Sequence, residues 1–289
     1  MGRERLCSGL AQNGARLWFP SEPMELRSTL SKLSLTNVTK NFTNSSGETT
    51  CVLNGINLEV AEGAFFTLLG ASGCGKSTLL NIVAGFENVS GGEIRIDGHA
   101  IEGPGTDRTV IFQDVSNALF PYMTVFENVE FGPKMSGQSK SDRKNTVEKY
   151  LRLVSLEKDA DKFPFELSGG MKQRVQIARA LANDPDILLM DEPFGALDAI
   201  TKKHLQIELR NIWRETGKTI FYITHDIIEA LILSTRLAVM TAGPETVLKE
   251  ILDIDFAEPR SPANPEFAAM YQKIEDSIDE EVKKPKLNE

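Results

Sequence analysis

The stretch Gly70-Ala71-Ser72-Gly73-Cys74-Gly75-Lys76-Ser77 fits the pattern G-x-x-x-x-G-K-S/T and follows an apolar run, Ala64 to Leu69, that predicts a buried strand. Glycines in such a turn let the backbone approach a phosphate, and the amides and positive dipole end of the following helix attract it. Lys76 can reach the β- and γ-phosphates, and the hydroxyl of Ser77 can ligate Mg²⁺. The strand before the turn and the helix after it argue against a chance glycine-rich turn.

A second turn of the same kind lies about ninety residues further on, at Leu167-Ser168-Gly169-Gly170-Met171-Lys172-Gln173-Arg174, and it also leads into a predicted helix. One nucleotide has one γ-phosphate. If both turns contact it, the simplest geometry is two chains facing each other. Each chain would then contribute its Ser168 turn to the nucleotide held by the Lys76 turn of the other.

Composition and charge limit the classes of function. The chain has 289 residues, 41% of them hydrophobic, and 32 basic against 41 acidic residues give a net charge of -9, which disfavours a dedicated nucleic-acid binder. Cys7, Cys51 and Cys74 form no C-x-x-C pair, so neither a disulfide framework nor a zinc site is indicated.

The chain shows no sequence signal for crossing a membrane. Its apolar runs fall short of the ~20 residues that a spanning helix needs. The first ten residues lack the apolar region of a signal peptide. We therefore expect a cytoplasmic protein whose role at a membrane, if any, depends on partners.

Periodicity predicts an α/β fold with a parallel sheet, an antiparallel β layer and an inserted helical segment. The antiparallel layer is indicated by alternation at Leu33/Leu35, Ile56/Leu58/Val60 and Ile94/Ile96. The helical segment contains Thr124 to Phe131, ended by Pro133, and Ser141 to Leu156, which precedes a break at Phe163-Pro164-Phe165. The parallel part alternates the strands Asp186 to Met190, Lys218 to Thr224 and Leu237 to Thr241 with the helices Val175 to Ala182, Lys202 to Glu215 and Asp226 to Leu233.

These patterns divide the chain into three parts. Residues 1–28 lack a sustained period and are expected to be a disordered extension, with Met24 as the candidate natural start. Residues 29–260 are expected to form the nucleotide-binding domain, with the helical subdomain at about 116–172. Residues 261–289 are expected to form a short helical tail, with Phe267, Met270, Ile274 and Ile278 on one face.

Two carboxylates end the predicted buried strand Ile187 to Glu192. Residues at the carboxyl end of a strand line the ligand crevice of an open α/β sheet. There Asp191 would hold the hydration shell of Mg²⁺ and Glu192 would polarise the attacking water. A solvated acidic strand end is the alternative, and the Lys76 turn disfavours it.

Taken together, these motifs resemble the ATPase subunit of an ATP-binding-cassette (ABC) transporter, from about Leu30 to about Glu258. The resemblance implies a P-loop NTPase core that hydrolyses ATP with Mg²⁺. It implies that Gln113 contacts the metal site and transmits closure to a membrane partner. It also implies that His225 touches the γ-phosphate and positions Glu192 or the water, and that Asp198 crosses a dimer interface.

Aromatic residues carry two further implications of the resemblance, each with a core position as its alternative. Phe42 lies where the family places a ring that stacks on adenine. Phe120, Tyr122 and Phe126 fall in the segment that the family uses as a groove for the permease. For any one of these three, a place in the core of the helical insertion is an equal alternative.

The resulting candidate site has catalytic, metal-binding and nucleotide-binding members. The catalytic candidates are Lys76, Glu192 and His225, and the metal ligands are Ser77, Gln113 and Asp191. The nucleotide-binding candidates are Phe42, Gly70, Ala71, Ser72, Gly73, Cys74, Gly75, Lys76, Ser77, Thr78, Gln113, Ser168, Gly169, Gly170 and Asp198. Because Cys74 lies beside Lys76 near a helix N-terminus, we expect its thiol pKa to be lowered.

Within the family, the chain resembles the importer branch for nitrate, aliphatic sulfonates and taurine. The resemblance rests on Gly103-Pro104-Gly105-Thr106-Asp107-Arg108, on Phe126-Glu127-Asn128-Val129-Glu130-Phe131-Gly132 and on Asp191-Glu192-Pro193-Phe194-Gly195-Ala196-Leu197-Asp198. Two features depart from the branch: Leu119-Phe120-Pro121-Tyr122 stands where Leu-Pro-Trp is usual, and the N-terminal extension is long.

The expected partners are a second copy of the chain, integral membrane permease subunits and, indirectly, an extracytoplasmic solute-binding protein, with no nucleic acid. The expected location is the cytoplasmic face of the cell membrane. Two alternatives remain: a soluble cassette ATPase of DNA repair or cluster assembly, and a P-loop GTPase or kinase. The Lys76 to Ser168 interval lacks heptads and cysteines, which disfavours the repair enzymes. The Ser168 turn and the absence of an N-K-x-D motif disfavour the GTPase.

Overall fold

The computed structural model describes residues 31–114 and 118–283. The extension predicted for residues 1–28 lies outside the described residues. Ten strands run through the described part: β1 (Ser31–Thr43), β2 (Thr49–Ala61), β3 (Phe65–Leu69), β4 (Gly91–Ile96), β5 (His99–Ala100), β6 (Arg108–Ile111), β7 (Ile187–Asp191), β8 (Thr219–Thr224), β9 (Arg236–Met240) and β10 (Leu248–Asp253).

Seven α-helices accompany these strands in the described residues: α1 (Lys76–Ala84), α2 (Val125–Met135), α3 (Lys140–Leu153), α4 (Gly169–Ala182), α5 (Ala199–Thr216), α6 (Ile227–Leu233) and α7 (Pro265–Lys283). Short 3₁₀ turns at Glu157–Asp159 and Pro164–Glu166 connect α3 to α4. No helix among residues 31–114 and 118–283 is both long and apolar enough to span a membrane.

The larger sheet has the order β10-β9-β3-β8-β7-β6. Its five strands from β9 to β6 are parallel, and β10 adds to the edge in antiparallel direction. All residues of β3 and of β8 are buried, as expected for parallel strands that are covered on both faces. The sequence predicted a buried strand from Ala64 to Leu69 and a parallel strand from Lys218 to Thr224, and β3 and β8 agree with these predictions.

The smaller sheet is antiparallel, in the order β2-β1-β4-β5. Leu33 pairs with Val60 on one side and with Ile96 on the other. The alternating apolar residues of these strands pack into one core with α1 and the inner face of the large sheet. This sheet is the predicted antiparallel layer, and it lies beside the helix that follows the Lys76 turn.

The helices α2 and α3 are inserted between β6 and β7, where they pack against α4 around Val129, Val147, Tyr150 and Val175. The prediction that Pro133 ends the first of these helices was wrong, because Pro133 lies buried inside α2. Pro133 has no N–H to donate to the Val129 carbonyl, so it removes one helical hydrogen bond of α2, close to the end of the helix. The helix starts as predicted, with the Thr124 side chain accepting from the Glu127 N–H.

The C-terminal helix α7 packs on α6 and the β9 edge of the sheet, burying Phe267 and Ile274 and partly burying Met270 and Ile278. The four residues share one face, as predicted. Structural relatives described below confirm the predicted fold class, and the boundaries 29–260, 116–172 and 261–289 stay predictions.

Candidate active site

Four neighbouring parallel strands bring the candidate residues to one edge of the large sheet. Leu69 at the end of β3 pairs with Thr224 at the end of β8, and Ile223 pairs with Asp191 at the end of β7. Ile111 at the end of β6 pairs with Met190. The residues that follow these four ends are the Lys76 turn, His225, Glu192 and Gln113, so the structure gathers them at the carboxyl edge, where open α/β sheets bind ligands.

The turn from Gly70 to Gly75 requires glycine at its last position. Gly75 has φ 94° at the N-cap of α1, and a Cβ placed there would lie 3.0 Å from side-chain atoms of Leu53 and Val52. A side chain is excluded from this position both by conformation and by space. Lys76 is 6% exposed, and its Nζ donates to the carbonyl oxygens of Gly70 and Ala71 at 2.8 and 2.9 Å. The ammonium group is thus held inside the turn, where it can meet an anion.

The expectation that the Cys74 thiol is activated was wrong. Cys74 is 1% exposed, and this burial raises the pKa of the thiol; the charge of Lys76 and the backbone N–H groups act in the opposite direction without overcoming it. Burial outweighs the helix N-terminus here because the Cys74 side chain points into the core rather than toward the turn's opening.

Asp191 and Ser77 make an oxygen donor set of the kind that Mg²⁺ prefers. Burial raises the pKa of the Asp191 carboxyl, a hydrogen bond with Ser77 lowers it, the charge of Glu192 raises it and that of Lys76 lowers it, with a net upward shift. A half-buried carboxylate that pairs with a hydroxyl and lies beside a second carboxylate is stabilised by a cation. The residues present therefore fit a magnesium ion.

Glu192 has φ 41°, which places a glutamate in the left-handed region. Strain of this kind persists where the surroundings fix the backbone, and it is frequent at functional sites. Here the Glu192 N–H donates to the Ile223 carbonyl at 3.0 Å, and the Gly195 N–H donates to the Glu192 carbonyl at 3.0 Å. The His225 Nδ1 lies 2.9 Å from the Glu192 Oε2.

Gln113 lies exposed after β6 and reaches the loop that follows Glu192. A Cβ placed on Gly195 would lie 3.1 Å from the Gln113 Nε2. The Gln113 amide therefore lies next to the loop that runs from Glu192 to Gly195.

The second turn lies against α5 of the same chain. Ser168 caps α4, its Oγ accepting from the Met171 N–H at 3.4 Å. A Cβ placed on Gly170 would lie 2.8 Å from the Thr201 Cγ2, and one on Gly169 would lie 3.3 Å from the Leu197 Cδ2. The two glycines thus permit a close approach between the N-terminal ends of α4 and α5.

Asp198 caps α5, accepting from the Ile200 and Thr201 N–H groups at 3.1 Å each. Hydrogen bonds with Thr201, together with that from the Ile200 N–H, hold the pKa of this carboxyl below its ordinary value. The Asp198 carboxylate is therefore held at the start of α5 of its own chain, next to Leu197, which contacts the Ser168 turn.

The aromatic candidates separate by exposure. Phe42 is 42% exposed, with the Lys40 Nζ 4.7 Å from its ring centroid, so it lies outside the core. Tyr122 is 71% exposed. Phe126 packs against the core of the helical subdomain, and the Phe120 ring lies 4.7 Å from that of Phe131.

Sequence reasoning missed a polar cluster beneath His225, formed by Lys202, Gln206, Thr224, Asp226 and Glu229. Its signal in the sequence is modest: two polar residues flank the histidine, and a glutamate follows one helical turn later. The burial of that glutamate, which is 2% exposed, is a property of the fold.

This fold and this site define a P-loop ATPase with an antiparallel β subdomain and a helical insertion. Residues 53–195 match the family described as ABC transporter. An ABC transporter ATP-binding protein of Methanocaldococcus jannaschii is 47% identical over 253 residues, covering 88% of this chain and 93% of that protein. The taurine import ATP-binding protein TauB of Rhizobium johnstonii is 48% identical over 236 residues, covering 79% of this chain and 89% of that protein.

Solved structures agree. The ATP-binding cassette MJ0796, in a dimeric post-hydrolysis state bound to ADP and Pi, has a TM-score of 0.65 and 32% identity, covering 78% of this chain and 100% of that one. CbiO1 from Clostridium perfringens, part of the ABC transporter complex cbiONQ, has a TM-score of 0.71 and 26% identity, covering 89% of this chain and 97% of that one. The chain belongs to the ABC transporter family, as the motifs predicted, and it is an ATP-binding, ATP-hydrolysing subunit of that family.

Proposed function

We propose that two copies of this chain bind two ATP·Mg²⁺ at a head-to-tail interface and that their closure drives an importer for a small anionic solute. The observation that carries the proposal is the meeting of Lys76, Asp191, Glu192 and His225 at adjoining strand ends. Phosphoryl transfer to water needs little covalent chemistry from the protein. It needs positioning and charge stabilisation, which such a rigid edge supplies.

The Lys76 turn binds the phosphates. The amides from Gly73 to Thr78, at the N-terminus of α1, donate to phosphate oxygens. The Lys76 ammonium, now shared between two carbonyls of the turn, bonds to the β- and γ-phosphates. An exposed Phe42 provides a ring for the adenine, and base stacking of this kind discriminates weakly between nucleotides.

Ser77 and Asp191 would hold the magnesium ion, with Gln113 beside them. When bound, Mg²⁺ neutralises charge on the β- and γ-phosphate oxygens. Asp191 is suited to this role because burial, and then the charge of Glu192, raise the pKa of its carboxyl in spite of Ser77 and Lys76, so that a bound cation would stabilise the carboxylate.

Glu192 accepts a proton from the attacking water. Its strained backbone and its bond to the Ile223 carbonyl fix the carboxylate at the strand end. His225, 2.9 Å from that carboxylate, orients it and reaches toward the γ-phosphate. A general base in this position contributes about 10²–10⁴-fold.

The second chain supplies the Ser168 turn. The amides of Gly169 and Gly170 at the start of α4 form an anion site, and within one chain this turn lies against Leu197 and Thr201. In the dimer, these amides would bind the γ-phosphate of the ATP that the Lys76 turn of the partner copy holds. Asp198 at the end of the neighbouring turn faces the same interface.

The permease docks near Gln113 and Tyr122, which places the chain at the cytoplasmic face of the membrane as a peripheral subunit. An extracytoplasmic solute-binding protein delivers the solute. Nitrate, an alkanesulfonate or taurine is the substrate class, supported by the 48% identity to a protein named for taurine import. The soluble repair or cluster-assembly alternative gains no support from relatives that are named as transporter ATPases.

The importer role is tested in a strain that lacks its own ATPase subunits for taurine, alkanesulfonate and nitrate import. The chain is expressed there, and uptake of labelled taurine, an alkanesulfonate and nitrate is measured in turn. We expect uptake of at least one of these anions, and we expect none with Lys76→Ala, which serves as the matched control. Uptake that is equal in both strains would contradict the proposal.

A further inference from the structure

The polar cluster beneath His225 joins the loop of the histidine to α5. Glu229, whose side chain is 3% exposed, lies at its centre. The Thr224 hydroxyl donates to one oxygen of this carboxylate, and the Gln206 Nε2 donates to the other at 3.2 Å. The Lys202 Nζ lies 3.6 Å from the same second oxygen.

The two residues that flank His225 are both fixed by this cluster. The Asp226 N–H donates to the Thr224 Oγ1 at 3.0 Å. The Asp226 Oδ1 accepts from the Glu229 N–H at 3.1 Å, which caps α6. The Asp226 Oδ2 accepts from the Lys202 Nζ at 2.8 Å. Thr224 and Asp226, on either side of His225, are therefore held by hydrogen bonds to each other and to Glu229. The Lys202 ammonium group pairs with both carboxylates of this set.

Lys202 is the cation that balances this cluster. It pairs with Asp226 and with the buried Glu229. Without it, two carboxylates would face each other at the first turn of α6, and a buried charge left unpaired drives rearrangement of its surroundings. A shift of that turn would move the Asp226 cap, which is the residue next to His225.

We propose that Lys202 is a positioning residue that holds the His225 ring in register with Glu192. The proposal rests on the catalytic role of His225 given under the proposed function. Lys202 touches neither nucleotide nor metal in this scheme. Its effect passes through the backbone of the histidine loop.

The central experiment compares Lys202→Met with Lys203→Met. Lys203 is the next residue of the same helix and is exposed, so it controls for loss of a lysine in α5. We expect Lys202→Met to lower kcat for ATP hydrolysis about 10-fold with KM for ATP changed less than about twofold, because misplacement affects the chemical step. Lys203→Met should match the parent, and Lys202→Arg should recover most of the lost kcat.

Thermal melting is recorded for each variant, and assays are run well below the transition. If Lys202→Met does not fold, Lys202→Gln replaces it. Glutamine keeps a polar side chain in the cluster but removes the positive charge that pairs with Asp226 and Glu229. We then expect kcat to fall with Lys202→Gln and to be retained with Lys202→Arg, and a parental kcat in Lys202→Gln would overturn the proposal.

A double variant separates positioning from a merely structural role. Because Lys202 acts through His225, Lys202→Met should lower kcat no further in a His225→Ala background. An additive loss in the double variant would overturn the proposal, and so would a parental kcat in Lys202→Met while His225→Ala is impaired. If His225→Ala itself keeps the parental kcat, the proposed catalytic role of His225 has failed instead.

Discussion

The His225 Nδ1 and the Glu192 Oε2 lie 2.9 Å apart although 33 residues separate them in the chain. The contact exists because β7 and β8 are neighbours in register, with Asp191 opposite Ile223, so that each side chain follows the end of its strand. The carboxylate is thereby held by a histidine from one side and by its own strained backbone from the other.

The first prediction concerns this carboxylate. Replacing Glu192 by Gln keeps its shape and removes its basicity, so ATP should still bind while kcat falls about 10²-fold or more. Because ATP then persists, a dimer should accumulate. Gel filtration with ATP and Mg²⁺ measures this, with Lys76→Ala as the non-binding control. Hydrolysis at the parental rate would remove Glu192 from the mechanism.

The second prediction tests composite sites with mixed dimers. A Ser168→Arg chain keeps its Lys76 turn, and a Lys76→Ala chain keeps its Ser168 turn. If the Ser168 turn acts across the interface, both lesions fall in one site of the mixed dimer and the other site is intact.

Each variant alone should therefore be nearly inactive, and a mixture should regain part of the parental ATPase activity. The assay is repeated at several mixing ratios, and the recovery should be greatest near equal amounts. No recovery at any ratio, or full activity in a stable monomer, would contradict the composite site.

How far the sequence alone leads is visible in α4 and in β8. The helix was predicted from Val175, whereas it begins at Gly169, because Gly169 and Gly170 have low helix propensity. Their place in the helix is set by the Ser168 cap and by the close approach to α5. The strand β8 was predicted correctly, but its position between β3 and β7 is a tertiary property.

The unpredicted strand β10 shows the same limit. Leu248–Asp253 is a half-exposed edge strand whose Lys249 pairs with Glu280 on α7. Its local pattern is weak, and its partners lie elsewhere in the chain. The candidate site, in contrast, followed from turn patterns and strand ends, and the resemblance to a family supplied the roles of Gln113 and His225.

The third prediction replaces the expectation of a reactive Cys74. Burial raises the pKa of this thiol, and Cys74 is 1% exposed. Cys51 is partly exposed. In a Cys7→Ala background, we therefore expect maleimide to modify Cys51 first and Cys74 only after denaturation.

Peptide mass spectrometry of the native and urea-treated protein measures the modification at each site. Cys51→Ala is the control, and it should resist native labelling almost completely. Rapid native labelling of Cys74 that ATP prevents would contradict this prediction.

The fourth prediction is a pH dependence of stability at Glu258. This carboxylate contacts Arg210 at 2.7 Å and Arg214 at 2.6 Å. Burial raises its pKa, but the charge and hydrogen bond of Arg210 and the charges of Arg214 and Arg260 outweigh burial and lower the pKa below its ordinary value. Such a group stabilises the fold above its unfolded pKa, about 4.3, and this contribution is lost as pH falls through the lower folded pKa.

Glu258→Gln should therefore reduce the free energy of unfolding at pH 7 by about 1 kcal/mol, since solvent screens this half-exposed group. The difference from the parent should shrink below about pH 4. Urea unfolding at pH 7 and below about pH 4 measures this difference in the free energy of unfolding. Glu62→Gln, at an exposed position, serves as the control. A difference that is the same at both pH values would show that charge is not its cause.

The last prediction separates docking from packing in the segment after Gln113. Tyr122 is 71% exposed, whereas Phe126 packs against the core of the helical subdomain. Tyr122→Ala should leave the melting temperature and the basal ATPase activity near the parental values while weakening co-purification with the permease, because an aromatic anchor can contribute about 2 kcal/mol to an interface. Phe126 is partly buried, so Phe126→Ala should instead cost about 1–2 kcal/mol in stability, less than the loss of a fully buried phenylalanine. Thermal melting beside a pull-down distinguishes the two effects, and normal permease binding by a stable Tyr122→Ala variant would place the docking surface elsewhere.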